Sequence, residues 1–367
     1  MKQAIYRAAL SLTPPKIDTV HGAGLQKEAE GELTGILRRH RCLGGVLRLF
    51  DQDGRLIAYH FGMAGKGKPA RDDTVFRVAS ISKMITAMCA LKLAEQGLIS
   101  LDEDTGLLLY PVTLRELLSH TAGILDGSAY LEGLEKGTNL RDVLKNSADS
   151  SMRGRWAYSN LGGGAIACVL EKKLGECFEG IMQRYLFGPL GVAATFYPQR
   201  AQGELADARR VLPPQIRPGF DARARKLRTD ETIDIPDPQR HYGLAQGNCC
   251  LNAGQLQQLM QALMDEGYLN RNSLDTMRAP AADFGRGRQR LRQGLGLFSL
   301  RDPEIYKGQL YGHQGKAYGA VHAAFFEPDS RRGMIFLSSG ISEAREGFLA
   351  DAVCDLLRFA FREDIWI

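Results

Sequence analysis

The chain lacks most of the features that would assign it to a specialised class. No apolar run approaches about 18 residues, so no membrane-spanning helix is expected. Met1 to Thr13 lack the apolar core of about 7–15 residues found in secretory leaders. The seven cysteines are an odd number. They are scattered apart from Cys249-Cys250 and show no C-x-x-C spacing, so neither a disulfide framework nor a zinc site is indicated. Free thiols suit a reducing compartment, and a cytoplasmic protein is expected. The formal charge of +5 is small for 367 residues and does not by itself argue for nucleic acid. No internal repeat or low-complexity tract is evident.

Two basic clusters need weighing against that small net charge. One holds Arg209, Arg210, Arg223, Arg225, Lys226 and Arg228, and the other Arg286, Arg288, Arg290 and Arg292. Neither comes with interleaved aromatics or a groove-fitting element. They read as solvated loops near a cleft, and no nucleic-acid partner is expected. Gly62-Met63-Ala64-Gly65-Lys66-Gly67-Lys68 fits a G-x-x-x-x-G-K phosphate loop. Position 69 is Pro where magnesium coordination needs Ser or Thr, and the following residues are extended and charged. The glycines are expected to form a mobile strand-to-loop connection. There is no G-x-S-x-G elbow, so a Ser-His-Asp triad is not indicated.

What is present is Ser80-Ile81-Ser82-Lys83, the one Ser-x-x-Lys in the chain. It follows an extended run, Thr74 to Ala79, and opens a helix-like run from Met84 to Gln96. Residues three apart on a helix share a face, so the Lys83 amine can reach the Ser80 hydroxyl. The positive end of the helix dipole suits a nucleophile that stabilises developing anion. The bland alternative is a serine N-cap with a solvent-facing lysine. Two further motifs follow in order. Tyr158-Ser159-Asn160 precedes a helical stretch from Gly162 to Leu174, and His313-Gln314-Gly315 leads into a strand-like run from Tyr318 to Phe326. Tyr268-Leu269-Asn270 is a rival Tyr-x-Asn, but it reads as a helix exit.

These three motifs resemble those of the penicillin-recognising serine hydrolases. That family includes class C β-lactamases, D-Ala-D-Ala carboxypeptidases, D-aminopeptidases and family VIII esterases. Phe76-Arg77-Val78-Ala79-Ser80, Leu117 to Gly123, and Pro189-Leu190-Gly191 with Thr195-Phe196 are similar to further family signatures. The resemblance runs from about residue 25 to about residue 360.

Periodicity predicts an amphipathic helix over 22–40, from Leu25, Ala29, Leu33, Ile36 and Leu37. Val46–Phe50 and Leu56–His60 flank Asp51-Gln52-Asp53-Gly54 as a hairpin. Residues 84 to 285 read as mostly helical with long loops, with Thr113 and Glu116 as a capping box. Asn252 caps a helix to about Met264. Extended segments return at 294–300, 318–327 and 333–339, with a turn at Pro328-Asp329-Ser330, and Glu343 to Phe361 reads as a closing helix. The division expected is a discontinuous α/β domain, 1–83 with 286–367, and a mainly helical inserted domain, 84–285. The resemblance implies a β-lactamase/transpeptidase-like fold: an antiparallel sheet flanked by terminal helices, with the active site in the cleft between the two domains.

Serine is a poor nucleophile until a base takes its proton. Lys83 is the nearest candidate, provided that burial favours its neutral form. Alternatively a charged Lys83 lowers the pKa of Tyr158, the partner that the resemblance implies. The sequence does not divide the base role between them. Asn160 can donate to a substrate carbonyl and touch Lys83. The resemblance assigns the oxyanion hole to the backbone N–H groups of Ser80 and Lys316, with Gly315 allowing close approach to the substrate. His313 stands where lactamase-like members carry lysine, and it does not pair with a carboxylate as lysine does. Its form is closer to the esterase and D-aminopeptidase branches.

The expected function is a serine hydrolase working through an acyl-enzyme on small peptides, amides or esters, with D-amino acids among the candidates. No metal or cofactor is expected, and the partner is a small-molecule substrate. A β-lactamase or D-Ala-D-Ala carboxypeptidase is the second reading. A non-catalytic binding or sensor protein that keeps the fold is the third, and reactive residue types at all three catalytic positions argue against it.

Overall fold

The computed structural model describes residues 2–212, 234–284 and 290–366. Arg223, Arg225, Lys226, Arg228, Arg286 and Arg288 lie outside them. So does the boundary expected between residues 285 and 286.

One antiparallel sheet gathers strands from both ends of the chain. Its order runs Val20–Ala23, Leu56–Gly65, Gly44–Phe50, Arg332–Gly340, Ala320–Glu327, Leu310–Ala317, Phe298–Leu300, Leu291–Gln293 and Ala282–Asp283. The central pairing joins Gly44–Phe50 to Arg332–Gly340, with Val46 opposite Leu337 and Phe50 opposite Gly333. A strand from the N-terminal part of the chain thus completes a sheet built mostly from its C-terminal part. The central strands are buried on both faces and read as continuous apolar runs rather than alternating ones. One face packs on helices Lys27–Arg39 and Asp351–Ala360, through Leu33, Ile36, Leu37, Val353, Leu356 and Leu357. The other face packs on helix Ile81–Glu95 and the helical region that follows.

Helix Ile81–Glu95 is buried all round, including Met84, Ile85, Met88 and Leu91. Helices of that kind sit in the centre of a core rather than at its surface. Trimming Ile85 to alanine would cost about 2–5 kcal/mol on that ground. The capping boxes at Thr113–Glu116 and Asn252–Gln255 both form.

Several boundaries differ from the sequence reading. The first predicted helix begins at Lys27, because Val20–Ala23 pairs with Leu56–Gly65 as an edge strand. Residues 310–317 form a strand of their own, so His313 lies within a strand rather than ahead of one. Gly312 and Gly315 weaken its local strand signal. The closing helix spans only Asp351–Ala360. Residues 343–350 form a loop instead. The helix after Asn252 stops at Gln261. Lys66-Gly67 is the turn of a tight hairpin, since Lys68–Pro69 pairs back on Leu56–Gly65. No helix follows it, so the phosphate-loop geometry is absent at this segment.

Candidate active site

Ser80 sits at a sharp turn between strand Phe76–Arg77 and helix Ile81–Glu95. The turn needs a left-handed residue, and Ala79 takes it with φ 49°. Alanine in that region is strained, and such strain persists only where the surroundings enforce it. Gly247 and Gly315 allow the backbone to close on this turn. A Cβ on Gly315 would come 2.2 Å from the Val78 carbonyl oxygen. What Gly315 approaches is therefore the nucleophile turn, a narrower finding than the expected approach to substrate.

Ser80 does not cap its helix. Its backbone is in the right-handed helical region and its side chain makes no capping hydrogen bond. The hydroxyl instead accepts from Lys83 Nζ at 3.1 Å. Lys83 also donates to Asn160 Oδ1 at 3.0 Å and to the Gln246 carbonyl at 2.6 Å. It is 3% exposed, so the solvent-facing lysine of the bland reading is not what forms. Burial pushes its pKa down to about 7, against the opposing pull of Asp126. Space for the stem comes from Gly163, where a Cβ would come 2.7 Å from Lys83 Cε.

Tyr158 stands over this group, with Lys83 Nζ 5.0 Å from its ring centroid. Burial raises its pKa above the usual phenol range, opposed by a hydrogen bond with the Ser80 side chain. His120 packs on the Tyr158 ring with centroids 4.4 Å apart. Its Nδ1 accepts from the Ser159 N–H at 3.3 Å. Burial, then Lys83 and His313, holds the His120 imidazole neutral. The rival Tyr268 is elsewhere: its hydroxyl donates to the Tyr185 carbonyl at 2.7 Å.

His313 is 1% exposed. Its ring stacks on Phe298 with centroids 4.2 Å apart, and its Nδ1 lies 2.6 Å from the Gln314 carbonyl. Its Nε2 is buried and, among the described residues, has no hydrogen-bond partner. Burial, reinforced by Lys83, pushes its pKa down to about 3. No cation stands at this position near neutral pH. Lys316, three residues on, has an exposed side chain.

Asp126 is the contributor that the sequence reading missed. Its carboxylate accepts from Ser159 Oγ at 2.9 Å, Asn160 N at 2.8 Å, Asn160 Nδ2 at 2.9 Å and Leu161 N at 3.0 Å. An anion is placed well at a helix N-terminus, where amide hydrogens are unsatisfied. It fixes the Asn160 amide so that Oδ1 faces Lys83. Asn160 therefore serves the lysine with one end and Asp126 with the other. The contact joins residues 33 to 35 apart in the chain. No local pattern encodes that pairing.

Among the described residues, no cluster of three His, Cys, Asp or Glu side chains has the geometry to hold a metal ion. Nor, among the described residues, is any helix long and apolar enough to cross a membrane.

A model of the family described as Beta-lactamase matches residues 29–353. A penicillin-binding protein of Bacillus subtilis is 26% identical over 328 residues, covering 82% of this chain and 69% of its own. Esterase EstB of Burkholderia gladioli is 26% identical over 263 residues, covering 64% of each chain. Among solved structures, the D-amino acid amidase of Ochrobactrum anthropi complexed with D-phenylalanine superposes with a TM-score of 0.69 at 19% identity, covering 93% of this chain and 99% of that one. The octameric penicillin-binding protein homologue from Pyrococcus abyssi gives 0.68 at 19% identity, over 85% of this chain and 73% of that one. At such identities these structures speak to the fold, which is β-lactamase/transpeptidase-like.

Proposed function

The chain belongs to the Beta-lactamase family, and from that premise we propose that it is a serine hydrolase acting through an acyl-enzyme on Ser80. The observation that carries the reading is the Lys83–Ser80 contact at 3.1 Å, made by a buried lysine whose pKa is brought down to about 7. A neutral amine at that distance can take the hydroxyl proton near neutral pH.

The site divides the proton chemistry as follows. Lys83 accepts the Ser80 proton as Oγ bonds to the substrate carbonyl carbon. The oxyanion is received by the backbone N–H groups of Ser80 and Lys316. Among the described residues, the Ser80 N–H donates to no backbone carbonyl. As the carbonyl reforms, the bond to the leaving group breaks. The leaving atom takes a proton from the Tyr158 phenol, which recovers one from the Lys83 ammonium. Tyr158 suits this role because burial keeps it protonated. Attack by water reverses the sequence and frees Ser80.

Esters and amides are the proposed substrates, D-amino-acid derivatives among them. The family relatives include an esterase and, on fold grounds, a D-amino acid amidase. The neutral His313 argues against efficient β-lactam hydrolysis, because a carboxylate beside the ring finds no cation there. The seven free cysteines, six of them buried, suit a cytoplasmic setting.

The test is a substrate panel of p-nitrophenyl esters, D-amino-acid anilides and nitrocefin, on the parent and on Ser80→Ala. The expected result is turnover of esters or anilides, weak turnover of nitrocefin, and complete loss in the variant. Acylation by a fluorophosphonate should add mass to the peptide that contains Ser80. A Ser80→Ala protein that keeps a tenth of the activity would place the nucleophile elsewhere.

A further inference from the structure

Three aromatic side chains from separate parts of the chain converge beside Tyr158. Trp156 lies two residues before it, Phe284 follows strand Ala282–Asp283, and Phe348 sits in the loop over residues 343–350. Trp156 and Phe284 stack with centroids 4.2 Å apart and planes at 11°. Phe348 meets Phe284 edge-on at 5.0 Å, Trp156 at 6.0 Å and Tyr158 at 5.9 Å. The buried Phe298 forms the floor, 5.1 Å from Phe284 and 5.3 Å from Phe348.

Burial distinguishes this cluster from ordinary core. Phe298 is 0% exposed, whereas Trp156, Phe284, Phe348 and Tyr158 are each only half-buried. Among the described residues, the ring contacts of Trp156, Phe284 and Phe348 are to one another and to the rings of Tyr158 and Phe298. The Trp156 indole N–H donates to Gln293 Oε1 at 3.2 Å. His313, against Phe298, is neutral. A contiguous set of half-covered rings next to reactive groups has apolar area left to bury, and an aromatic group buries more of it than any aliphatic group of similar length.

We propose that Trp156, Phe284 and Phe348 form the leaving-group subsite, and that the substrate is an ester or amide whose departing alcohol or amine carries a neutral aromatic group. The proposal rests on the hydrolase reading above. The side is set by Tyr158, the proton donor to the departing atom: whatever departs lies next to Tyr158, and the wall is continuous with its ring. The departing group keeps its bond electrons as its bond to the acyl carbon breaks, takes the Tyr158 proton, and leaves as the free alcohol or amine. An anionic departing group would meet ring faces, with no cation from His313.

The experiment compares two ester series on the parent protein. In the first, acetyl is fixed and the alcohol runs through ethanol, benzyl alcohol, 2-naphthylmethanol and glycolate. In the second, ethanol is fixed and the acyl group runs through acetyl, phenylacetyl and naphthylacetyl. The first series should show kcat/KM rising about 10-fold or more from ethyl to the aromatic alcohols, with glycolate poorest. The benzyl-to-ethyl ratio should drop in Trp156→Leu and in Phe284→Leu, with thermal melts confirming that each is folded. A flat alcohol series beside a steep acyl series would move the wall to the acyl side and overturn the proposal, as would two flat series. Fluorophosphonate labelling of Ser80 is run in parallel. Labelling with a flat alcohol series rejects the subsite alone, whereas no labelling and no ester turnover rejects the hydrolase reading with it.

Discussion

Gly163 lies directly against Lys83: a Cβ on the glycine would come 2.7 Å from Lys83 Cε and 3.2 Å from Cδ. The absence of a side chain on one helix is what lets the lysine on another run straight to Ser80. Gly163→Ala should therefore lower kcat/KM by about 10- to 100-fold, since a misplaced catalytic group loses that order of rate. Stability should change little, because alanine favours the helix by about 0.5–1 kcal/mol over glycine and offsets part of the clash. Steady-state kinetics and a thermal melt on the same preparation separate the two. Unchanged kinetics would show that Lys83 has room to yield.

Lys83 and Tyr158 should act as a unit. Either Lys83→Ala or Tyr158→Phe alone should cost orders of magnitude in kcat, and the double variant little more. Fully additive losses in the double-mutant cycle would assign the two to independent steps.

The pH dependence follows from the depressed lysine. Activity needs the neutral amine, so kcat/KM should fall as pH drops through about 7. Stability carries the same sign. With the folded pKa near 7 and the ordinary value 10.5, the unfolded chain binds more protons between those limits. Stability should rise with pH across that window and be lowest below it. Lys83→Met should flatten this part of the stability profile, read from chemical denaturation at several pH values.

Asp126→Asn removes the negative charge that holds the Lys83 pKa up and weakens the helix start at Ser159. The acid limb of the kcat/KM profile should move below about 7. Stability should fall by about 1 kcal/mol, as for loss of a helix cap. A loss of stability with the acid limb unmoved would make Asp126 a structural residue alone.

His313→Lys restores the lysine pattern of lactamase-like relatives, but the structure points to a cost. The ring now stacks on Phe298 and contacts the Gln314 carbonyl. A second buried cation near Lys83 disfavours both charges. The variant should melt lower and show its acid limb shifted down, with ester turnover reduced. A gain in nitrocefin turnover at unchanged stability would show that position 313 opens to substrate.

Much of this was already present in the linear order of residues. Ser80 and Lys83 are three apart, and helical geometry alone brings such a pair together. The Asp51–Gly54 hairpin and the Thr113–Glu116 capping box are likewise local devices, each complete within a few residues. The antiparallel sheet and its terminal helices followed from the family resemblance. The structure alone decided what depends on residues far apart in sequence. Helix Lys27–Arg39 loses its first turns to an edge strand because Leu56–Gly65 offers Val20–Ala23 a partner. The strand Leu310–Ala317 forms despite two glycines because it lies between two others, and Gly315 is there to pass Val78. Asp126 joins the site through the backbone amides of Asn160 and Leu161 and the side chains of Ser159 and Asn160, all 33 to 35 residues away in the chain. The pKa of Lys83 is set by burial, a property of the packed whole. Local spacing determines which groups can meet. Long-range packing determines which of them are dry, which are charged, and which face the substrate.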